Sequence, residues 1–299
     1  METKDLVSII VSSYNQEKYI KECLDSIKAQ TYSNIQLIVA DDASKDGSVQ
    51  AFENWLQGNN YPASTNFHQK NTGLATMLNE CVGLVKGKYV KVIAADDFLH
   101  PEAIEKCVSR LEELGDEYGM VYTDTYAIND HSDIIEDIAD YDALGNIDKD
   151  VFRKELIKSN RIAALTVLMR KEALLKTGEY KSDFLIEDYY RWLKISASYY
   201  IAYIPEKLAY YRIHDSNLSS ARKQRIEIEN LILQMLFDKE GEVKNKINSL
   251  TQKFYLNKSE LPSEYIDAYK QYPYNMKRLN FALQNKIPVF IYTFLNKII

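Results

Sequence analysis

Apolar and polar positions fall into short alternating blocks over the first 124 residues. Residues 6–11 read LVSIIV, an unbroken aliphatic run, which is how a strand covered on both faces reads. Residues 18–30 then set Tyr19, Ile20, Cys23, Leu24 and Ile27 on one helical stripe. A second buried strand is expected at 35–40, a helix from 49 to 56, a weaker strand at 64–69 and a helix at 73–86 that Gly87 ends. A fourth strand is expected at 89–95. Pro101 suits the first turn of a helix running to about 114, and residues 120–123 make a further strand. Strand and helix alternating over short loops predict an α/β fold, with a mostly parallel sheet flanked by helices on both faces. In such sheets ligands bind beyond the carboxyl ends of the strands.

After residue 124 the pattern loosens. Residues 129–146 are polar and acidic and read as a long excursion. Helices are expected at 149–158, 171–176 and 187–196, with extended segments at 164–169, 199–204 and 208–213. From 221 to 237 the sequence is helical. This gives 1–220 as one domain, with halves 1–124 and 125–220, and 221–299 as a helical, aromatic-rich extension.

Composition narrows the class. A hydrophobic fraction of 46% over 299 residues is ordinary for a chain that buries a real core. The net charge of −6 argues against general nucleic-acid binding, which needs a basic face. Cys23, Cys81 and Cys107 lack metal-ligand spacing and read as buried small hydrophobes in a reducing compartment. The first residues run through charges straight into a strand, and no apolar run reaches the roughly 18 residues a membrane span needs. The expected place is the cytoplasm, free or at the cytoplasmic membrane face.

The chain has no G-x-G-x-x-G, no P-loop and no G-x-S-x-G elbow. It does carry acids at predicted strand ends: Asp41-Asp42 after the second strand and Asp96-Asp97 after the fourth. Two adjacent carboxylates at the end of a buried strand repel each other and lose solvation. A hard divalent cation answers both problems, and Mg²⁺ is commonly held by one or two carboxylates plus substrate phosphates. The alternative is that Asp97 caps the helix that follows.

The stretches VSIIVSSYNQEKYIKECLDSIKAQTYSNIQLIVADDASKDGS and NTGLATMLNECVGLVKGKYVKVIAADD, taken in order, resemble the nucleotide-binding half of family 2 glycosyltransferases. The resemblance implies the GT-A fold, a Rossmann-like sheet, and a nucleotide-sugar donor. It implies Ser12 and Tyr14 at the nucleotide base, Asp42 at the base edge, Asp96 near the ribose and Asp97 on Mg²⁺ or Mn²⁺. Many relatives have an Arg where this chain reads Ala75-Thr76-Met77-Leu78-Asn79, and Lys70 is the nearest cation. In the second half, FLIEDYYRW resembles the segment that carries the general base. That role falls on Asp188, with Glu187 second; both acids also suit a helix's first turn, and Trp192 is either at the acceptor or sugar or in the core. YRIH resembles the segment whose His meets the metal or the diphosphate, which gives His214, with Arg212 a weaker phosphate candidate.

The implied activity is inverting transfer from a UDP-type sugar to a hydroxyl of a saccharide or lipid-linked saccharide. Two other readings share the strand-end acids: a nucleotidyltransferase that makes activated sugars, and a noncatalytic sugar- or partner-binding domain. The first would want a Gly-rich basic loop where SSYNQEKY stands.

Residues 268–299 contain no acid but include Lys270, Lys277, Arg278, Lys286 and Lys297, interleaved with Tyr and Phe. That suits either an anionic membrane surface or packing on the catalytic domain or on a second subunit.

Overall fold

The structure is a computed structural model that describes residues 4–136, 147–214 and 222–298. The chain divides into two compact units: Met1–Phe152 with Arg161–Asn217, and Arg153–Asn160 with Leu218–Ile299.

The first unit is α/β. Its elements run β1 (Val7–Ser13), α1 (Glu17–Lys28), β2 (Ile35–Asp41), α2 (Ser48–Asn59), β3 (Ala63–Phe67), α3 (Leu74–Leu84), β4 (Tyr89–Ala94), β5 (Phe98–Leu99) and α4 (Ala103–Leu114). There follow β6 (Tyr118–Ile128), β7 (Ile134–Ile135), α5 (Lys149–Lys158, whose residues from Arg153 on belong to the second unit), β8 (Leu168–Arg170), α6 (Lys171–Lys176), α7 (Glu187–Ser196) and β9 (Tyr200–Arg212). They form one sheet in the order β3-β2-β1-β4-β8-β6-β9-β5, with β7 on β6.

The expected parallel pattern holds for the first half. β1 lies between β2 and β4, parallel to both, and β3 extends the row beside β2. Every residue of β1 is buried, as its unbroken apolar run demands. Ile9, Val11, Leu24, Leu37, Phe52 and Ile93 belong to one core cluster. Gly87 opens the turn into β4, where a Cβ would sit 2.6 Å from the Leu6 carbonyl oxygen and the Ser8 nitrogen. Only a residue without a side chain lets that turn press against β1.

The second half departs from the expectation. β8 is antiparallel to both β4 and β6, whereas β6 and β9 run parallel. The extended segments expected at 199–204 and 208–213 form one strand, β9, whose register against β6 shifts near Thr123–Thr125. The stretch 164–169 is split: Ala164–Thr166 is a 3₁₀ turn and only Leu168–Arg170 is strand. Of the excursion at 129–146, Ile134–Ile135 folds back on β6, and 137–146 lie outside the described residues.

One buried charge interrupts the sheet. Lys91 on β4 is 2% exposed and donates to the carbonyls of Leu165 and Val167 at 2.6 and 3.1 Å. Burial pushes its ammonium down to about 8.

The second unit is helical: Lys223–Phe237, Lys244–Leu256, Ser263–Gln271, Lys277–Gln284 and Val289–Ile298. Its interior sets tyrosines among aliphatic residues such as Leu231, Leu233, Ile247 and Leu279. Tyr265, Tyr269 and Tyr272 are at most 2% exposed. Each hydroxyl has a partner, as a buried phenol requires: Thr251, Asn248 and Asp238 respectively. Asp238 in turn accepts from the N–H groups of Gly241, Glu242 and Val243. The tyrosines that the sequence offered as membrane anchors are therefore core. Among the described residues no helix is long and apolar enough to cross a membrane.

Candidate active site at the carboxyl ends of the sheet

β1, β2 and β4 end side by side. Ser12 pairs with Ala94 and with Ala40, and Ser13 with Asp41. Ser12 is buried, whereas Tyr14 just beyond the strand is 45% exposed and presents its ring to solvent. Asn15 takes a left-handed φ of 55°, which Asn tolerates better than most residues. Its N–H donates to Ser44 Oγ at 2.7 Å, and its Oδ1 accepts from the Lys45 N–H at 2.8 Å. The loops after β1 and β2 are thus locked together. Ser44 itself is held by the fully buried Asp41.

Asp42 is heavily engaged. Its Oδ1 accepts from the Thr72 N–H at 2.8 Å, the Thr72 hydroxyl at 3.2 Å and His68 Nδ1 at 2.9 Å. Oδ2 accepts from the Gly73 N–H at 2.7 Å. Each carboxylate oxygen has about two lone pairs; three donors crowd Oδ1, whereas Oδ2 accepts one and keeps a second. Burial raises the Asp42 carboxyl, but the bonds from Thr72, His68 and Gly73 outweigh it and hold it below the usual range. The far nitrogen of His68 meets Glu80 Oε2 at 2.7 Å. Lys70 is exposed on the same loop.

Asp96 and Asp97 follow β4 and are 8% and 5% exposed. Arg212, the last residue of β9, holds both. Its N–H donates to Asp97 Oδ1 at 2.9 Å and its Nε to the Asp96 carbonyl at 2.7 Å. The rest of its guanidinium bonds the Asn129 carbonyl, Ser132 and Glu22, and stacks 4.6 Å from the Tyr19 ring centroid. At 1% exposed, Arg212 is turned inward, so its expected service to a phosphate is corrected: it is the rivet under the acidic pair. His214 Nε2 lies 3.1 Å from Asp96 Oδ2, and its ring stacks on Tyr19 at 5.5 Å.

The electrostatics fit a cation. Burial, then the neighbouring Asp96 charge, push the Asp97 carboxyl well above its usual range, against the opposing pull of Arg212. A divalent cation beside this pair would favour the charged form of Asp97 and offset its repulsion from Asp96. Asp97, Asp96 and His214 are the donors that a divalent ion at this point could use. Among the described residues no group of three or more His, Cys, Asp or Glu side chains is arranged to hold a metal unaided.

Glu187 and Asp188 open α7, half-buried. Asp188 Oδ1 accepts from the Tyr189 N–H at 2.6 Å, and both acids suit the positive end of the helix. Trp192, one turn on, is 4% exposed and its indole N–H has no hydrogen-bond partner. Its ring lies in the interior and offers no open face to a sugar, which corrects the expectation of an acceptor floor.

Sequence reasoning missed three supports of the site: the Arg212 rivet, Tyr19 beneath both Arg212 and His214, and the His68–Glu80 brace on Asp42. In the sequence Tyr19 falls on the helical core stripe, and His68 carries no local motif.

With this geometry on hand, the sequence matches glycosyl transferase family 2 over residues 8–175. The chain belongs to that family. An uncharacterized glycosyltransferase of Haemophilus influenzae is 27% identical, over 90% of this chain and 80% of that protein. Chondroitin synthase of Escherichia coli is 28% identical over 75% of this chain, which spans only 31% of the synthase. Among solved structures, residues 1–349 of TarS from S. aureus with UDP-GlcNAc superpose with a TM-score of 0.64 at 17% identity, covering 92% of this chain and 82% of that one. The mannosyltransferase PcManGT of Pyrobaculum calidifontis, with GDP-Man and Mn²⁺, gives 0.61 at 20% identity, over 79% and 64%. These likenesses show the GT-A fold, and the family makes the chain a glycosyltransferase.

Proposed function

We propose that this glycosyltransferase moves a sugar, with inversion, from a UDP-sugar to a hydroxyl of a saccharide or lipid-linked saccharide. The observation that carries the reading is the cluster of Asp96, Asp97 and His214, clamped by Arg212 at the carboxyl end of β4. The ligands of TarS and of PcManGT, a nucleotide-diphosphate sugar in each and Mn²⁺ in one, support the donor class.

The division of labour follows the fold. Ser12 and Tyr14 flank the base, and the remaining lone pair of Asp42 Oδ2 accepts the N–H of a uracil edge. Asp96 orients the sugar-nucleotide. Asp97 and His214 would hold Mg²⁺ or Mn²⁺. When bound, such an ion would offset the charge that grows on the diphosphate as it leaves. Lys70, exposed beside the Asp42 loop, is the cation nearest to that end of the donor. Asp188 takes the proton from the acceptor hydroxyl as its oxygen attacks the anomeric carbon. The bond to the diphosphate breaks with its electron pair, so one base suffices. Glu187 is the second candidate for that base. The helical extension serves contact with a membrane face or a second copy.

The deciding experiment is a donor-hydrolysis panel over UDP-, GDP- and CMP-linked sugars with and without Mn²⁺. Metal-dependent release of UDP supports the reading. Release from a GDP-sugar alone would overturn the donor, and no release from any donor would overturn the reading.

A further inference from the structure

The second unit carries a cleft of about 670 Å³, lined by apolar residues that include Leu261, Ile266, Leu283 and Phe290. Lys258 and Lys286 also line it, and none of its lining residues is acidic. Beside it runs the helix Val289–Ile298. This helix is anchored by Tyr292, which is buried and meets the Tyr255 ring edge-on at 5.0 Å. Phe290 and Phe294, four residues apart and so on one face, are 73% and 63% exposed. Phe281, on the preceding helix, is 63% exposed too.

The packing of this unit does not account for three large phenyl rings left in water. Exposed apolar side chains beside an apolar cleft mark an interaction site. Its charge selects the partner. From 268 to 299 the chain has five Lys or Arg and no acid, inside a protein whose net charge is −6. A two-fold contact between copies would bring together two such patches, each carrying Lys258 and Lys286 and no lining acid to pair with them. Like charges facing each other disfavour that pairing. An anionic surface with an apolar interior satisfies both halves of the patch.

We propose that this face docks on an anionic lipid bilayer. Phe290 and Phe294 enter the boundary between headgroups and acyl chains, the cleft takes an acyl chain, and Lys258 and Lys286 meet lipid phosphates. The proposal rests on the extension being a contact surface and is independent of the transfer chemistry.

The test is co-sedimentation of the full chain with phosphatidylglycerol–phosphatidylcholine vesicles and with phosphatidylcholine alone. The intact chain is expected to prefer the anionic vesicles. Lys258→Gln and Lys286→Gln should each weaken binding to them about fivefold, while scarcely changing any binding to phosphatidylcholine. Phe290→Ser with Phe294→Ser should weaken binding to both by roughly a hundredfold, with the melting temperature kept because both rings are exposed. Failure of the intact chain to bind anionic vesicles would overturn the proposal. So would binding that the phenylalanine variant leaves unchanged, or a dimer seen by light scattering that this variant breaks in a chain that ignores vesicles. Donor hydrolysis without vesicles, run on the same proteins, separates the two readings. A chain that binds vesicles but hydrolyses no donor upholds the lipid surface and counts against the transferase assignment.

Discussion

The N–H of Arg212 donates to the carboxylate of Asp97 at 2.9 Å, across a sequence separation of 115 residues. Its guanidinium reaches the carbonyl of Asp96 at 2.7 Å, so one residue fixes both acids. Arg212→Leu leaves the buried Asp96 carbonyl without its donor and Glu22, whose side chain is 40% exposed, without its ion-pair partner. A buried acceptor left unsatisfied costs about 1–3 kcal/mol. Urea unfolding should show a loss of that order, and metal-dependent donor hydrolysis should fall with it. Arg212→Lys keeps the charge but loses the planar fork, and should recover only part of the stability. Full activity in the leucine variant would refute the rivet.

Asp188→Asn should keep donor binding and lose turnover by about 10²- to 10⁴-fold, the usual worth of a positioned base. Steady-state kinetics beside a UDP titration separates the two quantities. If the variant turns over normally while Glu187→Gln does not, the base is Glu187.

Asp42→Ala removes the acceptor of four protein donors as well as the proposed partner of the base. We expect the donor KM to rise about tenfold or more, from loss of a hydrogen bond to a charged group, with a lower melting temperature because the 72–73 loop is released. An unchanged KM for UDP-sugars would take Asp42 out of the nucleotide site.

His68 gives the loop a pH dependence. Burial alone would pull its imidazole down, but the hydrogen bonds to Glu80 and then Asp42 outweigh it and hold it above its ordinary value. The group therefore binds its proton more tightly folded than unfolded. Its stabilisation is fully present below the unfolded pKa of about 6.5 and is lost as pH rises through the higher folded value. The melting temperature of the native chain relative to His68→Asn should fall across that window. Glu80→Gln should move the fall to lower pH. A flat difference between native and His68→Asn chains would show that the brace does not titrate.

The nucleotide half was legible because buried parallel strands and amphipathic helices write their periods locally. β1, β2 and β4 read as apolar runs, and α1 and α3 fall within two residues of where the 3.6 period places them. In the second half the helices α5, α6 and α7 were legible in the same way, but the strand pairing was not, because β8 inserts antiparallel between β4 and β6, and nothing in residues 168–170 records that partner. The candidate acids stood out by type and by position at strand ends. Their supports did not: a buried arginine and a braced histidine look like surface residues until a distant strand covers them. The tyrosines of the extension misled for a related reason. A phenol with a buried hydrogen-bond partner packs as core, and the aromatics left outside are phenylalanines.

The rivet also sets an order of assembly. Asp96 and Asp97 emerge from synthesis more than a hundred residues before the group that immobilises them. Contacts between such distant positions require a large loop to close first, and they form late. The loops after β1 and β2 can be tied by Asn15 and Ser44 well before then. A nascent chain would thus hold a half-built nucleotide cradle whose acids are still unaligned, and competence for catalysis would arrive with β9, when the sheet itself is finished.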